Sequence, residues 1–377
     1  MRWRATLVAA GIAALLLTAG VSGKPLPARL PGPGTITYGI GGLVTGLAAD
    51  GPVVAFYERV GNCSVIHFWN PGDRFASKGK DRCGPVSIGN VGHTDGDLLA
   101  LGGTRALWVD HDNSGHVYCA SRTATARAPT PVNAGLCSGK ADDDVASIAG
   151  GSGLLVLDHL HFTFCSSCAG AVTVPLSGAT ASDITLVSVD ANGKGTTIAS
   201  GRDALLVTAV DAGRLLLVRP DGRLAILSAS GTVLDTIPLP AATATVIGAA
   251  LQGDDIILVT SGEFQTGANK GDAALVLWNI SARDGTVKKK ITIDAQSRFG
   301  GVQSGLLAYT LGPWVTIVRL RDGRSVTIEP GSWEGNDVFA ALTSVGLFYS
   351  YVQPTRHSST FGRVAFVPLT DVEHAVP

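Results

Sequence analysis

One segment of the chain combines histidine and cysteine side chains at close spacing. The stretch Asp158–Cys168, DHLHFTFCSSC, carries His159, His161, Cys165 and Cys168. Successive side chains of a strand point to opposite faces, so the two histidines would share one face, with the two thiols just beyond it. Two imidazoles and two thiolates form a His₂Cys₂ zinc set. A redox Cys-x-x-Cys pair needs a helix N-terminus in a βαβ pattern. Because this region is rich in strand residues, we predict a tight disulfide, with a metal site as the alternative.

Two acidic stretches have the residue types of cation sites. Asp110–Gly115, DHDNSG, has the spacing of the first half of a calcium loop, but the bidentate Glu expected at the twelfth position is Ser121. We therefore favour a hairpin turn. Asp142–Asp144 is a run of three carboxylates, which could bind a cation on one face but is more typical of a solvated loop.

The sequence contains none of the short motifs that mark common catalytic sites. It has no Gly-x-Ser-x-Gly elbow, no phosphate-binding glycine loop and no His-Glu-x-x-His. His93, Glu334 and His357 could converge if the fold gathers distant loops at an axis, although scattered turn residues are the simpler interpretation. We predict no catalytic residues and no cofactor.

Composition and the N-terminal residues indicate an exported protein. The stretch 1–23 has a basic start at Arg2 and Arg4, an apolar stretch and small residues before Lys24, which is the form of a cleavable signal peptide. An uncleaved signal anchor is the alternative. Beyond residue 23 no apolar run approaches the roughly 20 residues of a membrane span. A net charge of −1 gives no basic patch for nucleic acid or anionic lipid.

The cysteine count agrees with export. An even number of cysteines in a secreted chain predicts disulfides, and six allow fifteen pairings. We favour the local pairing, because the first two pairs are 20 and 18 residues apart and each spans the outer strands of one predicted unit. The predicted pairs are Cys63–Cys83, Cys119–Cys137 and Cys165–Cys168.

The elements that position these residues are almost entirely β-strands. Residues 24–34 form a proline-rich spacer, and from Thr35 onward short runs of Val, Ile, Leu and Phe alternate with Asp-Gly, Asn-Gly and Ser-Gly turns. No stretch sustains a helical apolar period over 10 to 12 or so residues. The runs are apolar on both faces, so without helices they must be covered by other sheets. Face-to-face antiparallel sheets are the expected architecture.

Four-stranded units repeat along the chain. The clearest unit is Asp203–Leu239, with four strands joined by three tight turns. We predict seven units, with a period of about 51 residues, which is within the range of radial repeats. Their bounds are 41–84, 85–139, 140–200, 201–239, 240–293, 294–333 and 334–371. Six or eight units, or two stacked sandwiches, are the alternatives.

The last unit offers only three strands, whereas Thr35–Gly39, TITYG, precedes the first unit without a partner. A ring leaves no long exposed edge if this N-terminal strand completes the final blade. We therefore predict that residues near Ile36 pair with the strand containing Val364–Val367.

The repeat resembles that of TolB-like and WD40-like propellers. Ala49-Asp50-Gly51 precedes the strand VVAF, the next strand ends in VIHFWNPG, and Leu275–Gly285, LVLWNISARDG, has the same form. The Ser-Pro that usually precedes Asp-Gly in that family is absent. The resemblance implies an all-β propeller with four-stranded blades that binds partners.

We therefore predict a secreted propeller spanning residues 35–377, with a non-catalytic binding or scaffold role. Its partner would be a protein or a cell-envelope component. The alternative is a secreted hydrolase or lyase, for instance one acting on polysaccharide, that uses the axial pocket of the ring.

Overall fold

The computed structural model describes most of the chain beyond residue 35. The described residues are 36–60, 63–73, 75–79, 82–83, 98–111, 117–132, 137, 143–162, 181–200, 206–219, 222–239, 246–261, 275–293, 298–328, 330, 338–354 and 360–377. They form a seven-bladed β-propeller, with seven antiparallel sheets arranged around one axis.

Each blade is built on four antiparallel strands, as the repeat predicts, and blade 1 has an additional short strand that pairs with its third strand. The first strand of the chain, β1 (Ile36–Gly39), belongs to the last blade. Blades 1 to 3 contain, in chain order, β2 (Leu43–Asp50), β3 (Val53–Val60), β4 (Cys63–Asn70), β5 (Phe75–Lys78) and the short β6 (Arg82–Cys83); β7 (Leu99–Gly102), β8 (Arg105–His111), β9 (Val117–Thr123) and β10 (Thr130–Pro131); β11 (Asp143–Gly151), β12 (Leu154–Phe162), β13 (Ala181–Val189) and β14 (Gly195–Ser200).

The remaining blades repeat the same order. Blades 4 to 7 contain β15 (Leu206–Asp211), β16 (Arg214–Val218), β17 (Arg223–Ser228) and β18 (Val233–Pro238); β19 (Val246–Gln252), β20 (Asp255–Ser261), β21 (Leu275–Ser281) and β22 (Val287–Ile293); β23 (Arg298–Gln303), β24 (Leu306–Leu311), β25 (Trp314–Arg319) and β26 (Ser325–Ile328); β27 (Ala340–Leu342), β28 (Gly346–Pro354) and β29 (Thr360–Pro368). Apart from β1, the strands of each blade fall within the predicted units.

The ring closes through the N-terminal strand. The sheet of blade 7 has the order β1-β29-β28-β27. Ile36 lies opposite Phe366 and Tyr38 opposite Val364 in an antiparallel register. The predicted closure is therefore confirmed, and the short final unit and the unpaired first strand have one common cause.

The core lies between the blades, because each sheet is covered on both faces. Along β16, Leu215 and Leu217 pack in a cluster with blade 3 residues such as Val156. The alternate residues Leu216 and Val218 pack in a cluster with blade 5. This alternation explains why the strands read as continuous apolar runs rather than as one apolar and one polar face.

A short helix follows the last strand and was not predicted. Helix α1 (Leu369–Ala375) buries Val372, and Val376 just beyond it is also buried, in the cluster between blades 6 and 7. Seven residues are too few for a helical period to be read from sequence, so packing rather than local pattern stabilises it. Among the residues that the structure describes, no helix has the length and apolarity of a membrane span.

Candidate functional site

The innermost strands of the seven blades surround an axial cavity of about 540 Å³. This volume is in the range of small-ligand pockets. The walls consist largely of small and aliphatic side chains, with at least two residues from every blade. Examples are Ala49, Ala100, Ala149, Val210, Ala250, Gly300 and Ala341.

Small residues are needed here because neighbouring inner strands approach closely. A Cβ atom at Gly151 would lie 2.8 Å from the carbonyl oxygen of Val210 in the next blade. A Cβ at Gly248 would lie 2.8 Å from the Cβ of Phe299 in blade 6. The inner strands therefore repeat a motif of small residues followed by a tight turn, as in GLAADG and IAGGSG. This motif is a sequence signal that marks the cavity wall in several units, and the predictions above do not include it.

One end of the cavity is bordered by the turns that link the first and second strands of each blade. We call this ring of turns the axial mouth; it comprises residues 51–52, 103–104, 152–153, 212–213, 253–254, 304–305 and 343–345. Ser152 and Ala212 adopt left-handed backbone conformations, with φ of 51° and 47°. These are the conformations that two-residue hairpin turns require.

Asp50 links the turns of the first three blades. Its Oδ2 accepts the backbone N–H of Gly103 at 2.6 Å and that of Gly153 at 3.3 Å. A single carboxylate from blade 1 thus satisfies donors of blades 2 and 3. Hydrogen bonds to a charged acceptor are stronger than neutral ones, so this contact fixes one side of the axial mouth.

Ser152 and Asp211 continue the same arrangement through blades 3 to 5. Ser152 Oγ accepts the N–H of Ala212 at 3.1 Å, and Asp211 Oδ2 accepts the N–H of Gly253 at 3.3 Å. Arg214 donates to Asp211 Oδ2 at 2.9 Å and to the carbonyl of Gly253 at 2.9 Å. From blade 1 to blade 5 the axial mouth is therefore held by contacts between side chains and neighbouring turns.

The axial mouth combines a few polar groups with an apolar wall. Asp50 and Asp211 are the titratable side chains among the described residues that line the cavity, and in both it is Oδ2 that accepts the turn hydrogen bonds. Gln252, Gln303 and Thr343 add amide and hydroxyl groups. Such a pocket can accept a protruding polar group and hold it by hydrogen bonds.

A second polar site, which sequence reasoning missed, lies between blades 7 and 1. Glu58 and His67 are each 3% exposed, and His67 Nε2 lies 2.6 Å from Glu58 Oε2. Burial lowers the pKa of His67, although the bond to Glu58 acts in the opposite direction. Glu58 and His67 are both titratable residues within otherwise apolar strands. This contrast in the sequence is the signal from which the site could have been predicted.

Asp158 is a third buried polar residue. It is 1% exposed, and burial raises the pKa of its carboxyl well above the ordinary value. Its Oδ1 has no hydrogen-bond partner among the described residues, and the same is true of Ser147 Oγ, which lies opposite it on β11.

The predicted His and Cys set is only partly described. His159 and His161 alternate along β12 and thus share one face, as predicted, with His159 buried. Cys165 and Cys168 lie outside the described residues, so their disulfide and the alternative metal site stay predictions. Within the described residues, no group of three or more His, Cys, Asp or Glu side chains could hold a metal ion.

The other cysteines agree with the local pairing where the structure describes them. Cys119 and Cys137 form a disulfide across 18 residues. The backbone register places Cys63 of β4 opposite Cys83 of β6. The side chains of that second pair are outside the description, so its bond stays a prediction.

The acidic stretches and the catalytic candidates are described only at their edges. Strand β8, which contains Asp110, pairs antiparallel with β9, consistent with the hairpin interpretation. Asp143 and Asp144 begin β11, and Asp144 Oδ1 accepts the N–H of Val145 at 2.7 Å. The remaining predicted residues lie outside the described part of the chain: Asp142, His93, Glu334 and His357.

Comparison with known proteins supports the fold. No protein-family model and no curated protein sequence matches this chain. Among solved structures, it is similar to puromycin hydrolase, with 13% identity and a TM-score of 0.53; the alignment covers 83% of this chain and 50% of that one.

Two further solved structures align over most of both chains. The WD40 domain of Toxoplasma gondii coronin is 13% identical, with 91% of this chain and 89% of that chain covered and a TM-score of 0.45. Saccharomyces cerevisiae Sqt1 is 10% identical, with 88% and 98% covered and a TM-score of 0.44. At these identities the likeness concerns architecture alone, and the fold of this chain is the seven-bladed β-propeller described above.

Proposed function

We propose that this protein is an extracytoplasmic binding or scaffold propeller that receives a protruding group of its partner at the axial mouth. The observation that carries the proposal is the axial mouth itself, in which Asp50, Ser152 and Asp211 hold successive turns in place around a cavity. Binding to a preformed site loses little conformational entropy, so such a rigid frame suits recognition. The partner is a protein or a cell-envelope component.

The location outside the cytoplasm rests on the signal-peptide pattern of residues 1–23 and on the Cys119–Cys137 disulfide. Structural disulfides persist in oxidising compartments and are rare in the cytosol. Both observations favour a protein that works after export.

A test compares partner binding by the wild type with that by a variant in which the axial mouth is narrowed. Gln252→Trp with Gln303→Trp places two bulky indoles at the mouth without removing the hydrogen bonds between turns. Thr292→Trp, on the exposed outer strand β22, is the matched control. Partners are captured on the immobilised secreted protein from culture supernatant and cell envelope, identified by mass spectrometry, and titrated individually.

We expect saturable binding of a captured component that weakens at least tenfold in the double variant and is unchanged in the control. Equal affinity in all three proteins would contradict a role for the axial mouth, provided that their circular dichroism spectra agree.

The alternative is a secreted hydrolase or lyase that acts in the same cavity. The carboxylates available for acid–base chemistry among the described lining residues are Asp50 and Asp211, and both already accept hydrogen bonds from turns. Turnover of a glycan, peptide or ester that is abolished by Asp50→Asn or Asp211→Asn, in a protein that stays folded, would establish the enzyme instead.

A further inference from the structure

The segment between β1 and β2 completes the ring, because it links blade 7 to blade 1. Within it, the backbone N–H of Gly42 donates to Glu58 Oε1 at 2.8 Å. The carbonyl of Gly42 accepts the N–H of Gly362 of β29 at 2.9 Å, and Ile40 donates to the Gly362 carbonyl at 3.0 Å. One buried carboxylate of blade 1 therefore holds the chain at the point of closure.

His67 binds the second oxygen of the same carboxylate. Because a carboxylate only accepts hydrogen bonds, the 2.6 Å contact requires the proton on Nε2 of His67. The other nitrogen, Nδ1, is buried and has no hydrogen-bond partner among the described residues. Protonation would turn Nδ1 into a buried donor without a described acceptor, which is costly.

The closing strand itself covers the imidazole. Tyr38 of β1 meets the His67 ring edge-on, with centroids 6.0 Å apart. The imidazole also stacks on Phe56, at 5.0 Å and an interplanar angle of 3°, and Tyr38 meets the Phe56 ring as well, at 5.9 Å. Tyr38 of β1 thus forms part of the cover that shields His67 from water.

The charged and titratable groups around His67 come from four elements. Glu58 of β3 favours the protonated ring, whereas Lys78 of β5 and Arg122 of β9 disfavour it. The ammonium of Lys78 lies 3.8 Å from Glu58 Oε2 and so competes for the same carboxylate. Tyr38 of β1 is neutral at physiological pH, because burial and Glu58 both raise the pKa of its phenol. Burial and the two cations together outweigh Glu58.

We propose that the Glu58–His67 pair is an acid-sensitive latch on the ring closure: proton uptake by His67 releases the segment around Gly42 and strand β1. Release would uncover the edge of β29, and an unpaired strand edge can recruit another chain. The latch is separate from the axial mouth, so neither proposal depends on the other.

The direction of the pH effect follows from the lowered pKa of His67. With the ring neutral in the closed state, the open state takes up the proton more readily. The closed state is therefore fully favoured above the ordinary histidine value near 6.5 and loses that advantage as pH falls below it. At pH 5.5 an exposed imidazole is about ten times more often protonated than neutral, so the opening equilibrium can shift by up to about tenfold.

The first test measures amide hydrogen exchange at pH 7.5 and 5.5, corrected for intrinsic rates. In the wild type we expect the protection of residues 36–43 to fall severalfold, up to tenfold, relative to β16 of blade 4. His67→Gln should remove this difference, since an amide can donate to Glu58 but does not titrate. His374→Gln, on the exposed face of α1, should retain it. Equal loss in wild type and His67→Gln, or no loss in the wild type, would overturn the latch.

The second test needs no folded His67 variant. An NMR titration of the wild-type imidazole signals, assigned with the help of Glu58→Gln, compares His67 with His374. We expect a midpoint for His67 clearly below that of His374, and a still lower midpoint in Glu58→Gln. A His67 midpoint equal to or above that of His374 refutes the proposal.

Discussion

Neighbouring blades meet along seams of buried side chains. Two of these seams, between blades 7 and 1 and between blades 3 and 4, cover the same kind of sheet face with different side chains. The closure seam, as we call the first, packs large aromatic residues that include Phe56, Trp69 and Phe348. The seam between blades 3 and 4 packs aliphatic residues such as Val156 and Leu217. The closure seam therefore buries larger side chains than the seam between blades 3 and 4.

The two seams also treat a buried carboxylate differently. Glu58 in the closure seam receives N–H groups from Gly42 and His67. Asp158 lies two residues after Val156 and so on the face toward blade 4, where its Oδ1 has no described partner. The pKa of Asp158 is accordingly raised well above its ordinary value by burial. The two buried acids thus differ in their hydrogen-bond partners rather than in their depth, and for Asp158 a lack of described partners at Oδ1 accompanies the raised pKa.

The largest effect is expected where inner strands touch through backbone. A Cβ at Gly150 would overlap the backbone of Leu101 in blade 2, which cannot move aside as a side chain could. Gly150→Ala should therefore lower the free energy of unfolding by about 3 kcal/mol or more, measured by urea denaturation. Gly72→Ala, in an exposed turn with ordinary contact distances, is the control. A loss of similar size in both variants would show that the inner ring is not sterically limited.

The next largest loss of stability is expected when the aromatic packing of the closure seam is disrupted. Phe348 is fully buried, and truncation to Ala should cost about 3 to 5 kcal/mol. Leu217→Ala, at the seam between blades 3 and 4, removes a smaller side chain and should cost less, within about 2 to 5 kcal/mol. Denaturant midpoints of the two variants decide the comparison. A greater loss of stability in Leu217→Ala than in Phe348→Ala would contradict the expectation that the aromatic side chains of the closure seam contribute more.

The sequence was sufficient to predict the blades, because their strand and turn pattern repeats, and to predict the ring closure, because one strand is left over at the start of the pattern and one is missing at its end. Asp-Gly and Ser-Gly turns between apolar runs specify hairpins locally, and an orphan first strand with a short last unit specifies the ring. Helix α1 was not predicted, because seven residues are too few to show a helical period. Its stability comes from the packing of Val372 in the cluster between blades 6 and 7.

The sites were harder to predict because they depend on geometry between blades. The inner-strand motif of small residues was legible in GLAADG and IAGGSG, yet only the ring shows that it lines a cavity. Glu58 and His67 lie nine residues apart on adjacent strands, and their common neighbour Gly42 is fixed by closure. No local pattern indicates that a single Glu and a single His on two apolar strands form a hydrogen bond with each other.

A smaller effect is expected when Asp158 is replaced by a residue that does not titrate. In the fold its carboxyl holds a proton that the unfolded chain has released, so the wild type should lose stability as pH rises above about 4, up to the raised pKa of Asp158. Asp158→Asn mimics the protonated form and should be more stable than the wild type by about 1 to 3 kcal/mol at pH 8, with little difference at pH 4. Urea unfolding across this range measures it. Glu373→Gln, exposed on α1, is the control; parallel pH curves for wild type and Asp158→Asn would refute the assignment.

The smallest effect is expected at an exposed ion pair, which is the surface counterpart of the Glu58–His67 contact. Lys288 on the outer strand of blade 5 contacts Asp255, and the two side chains are 44% and 46% exposed. Water screens such charges and ordering both side chains costs entropy, so exposed pairs contribute only about 0 to 1 kcal/mol. Lys288→Ala should therefore change the free energy of unfolding by less than about 0.5 kcal/mol, and the difference should shrink further in 1 M salt. A loss approaching that of Phe348→Ala would mean that the outer strand of blade 5 depends on this pair, and that burial is not what separates the strong contacts of this propeller from the weak ones.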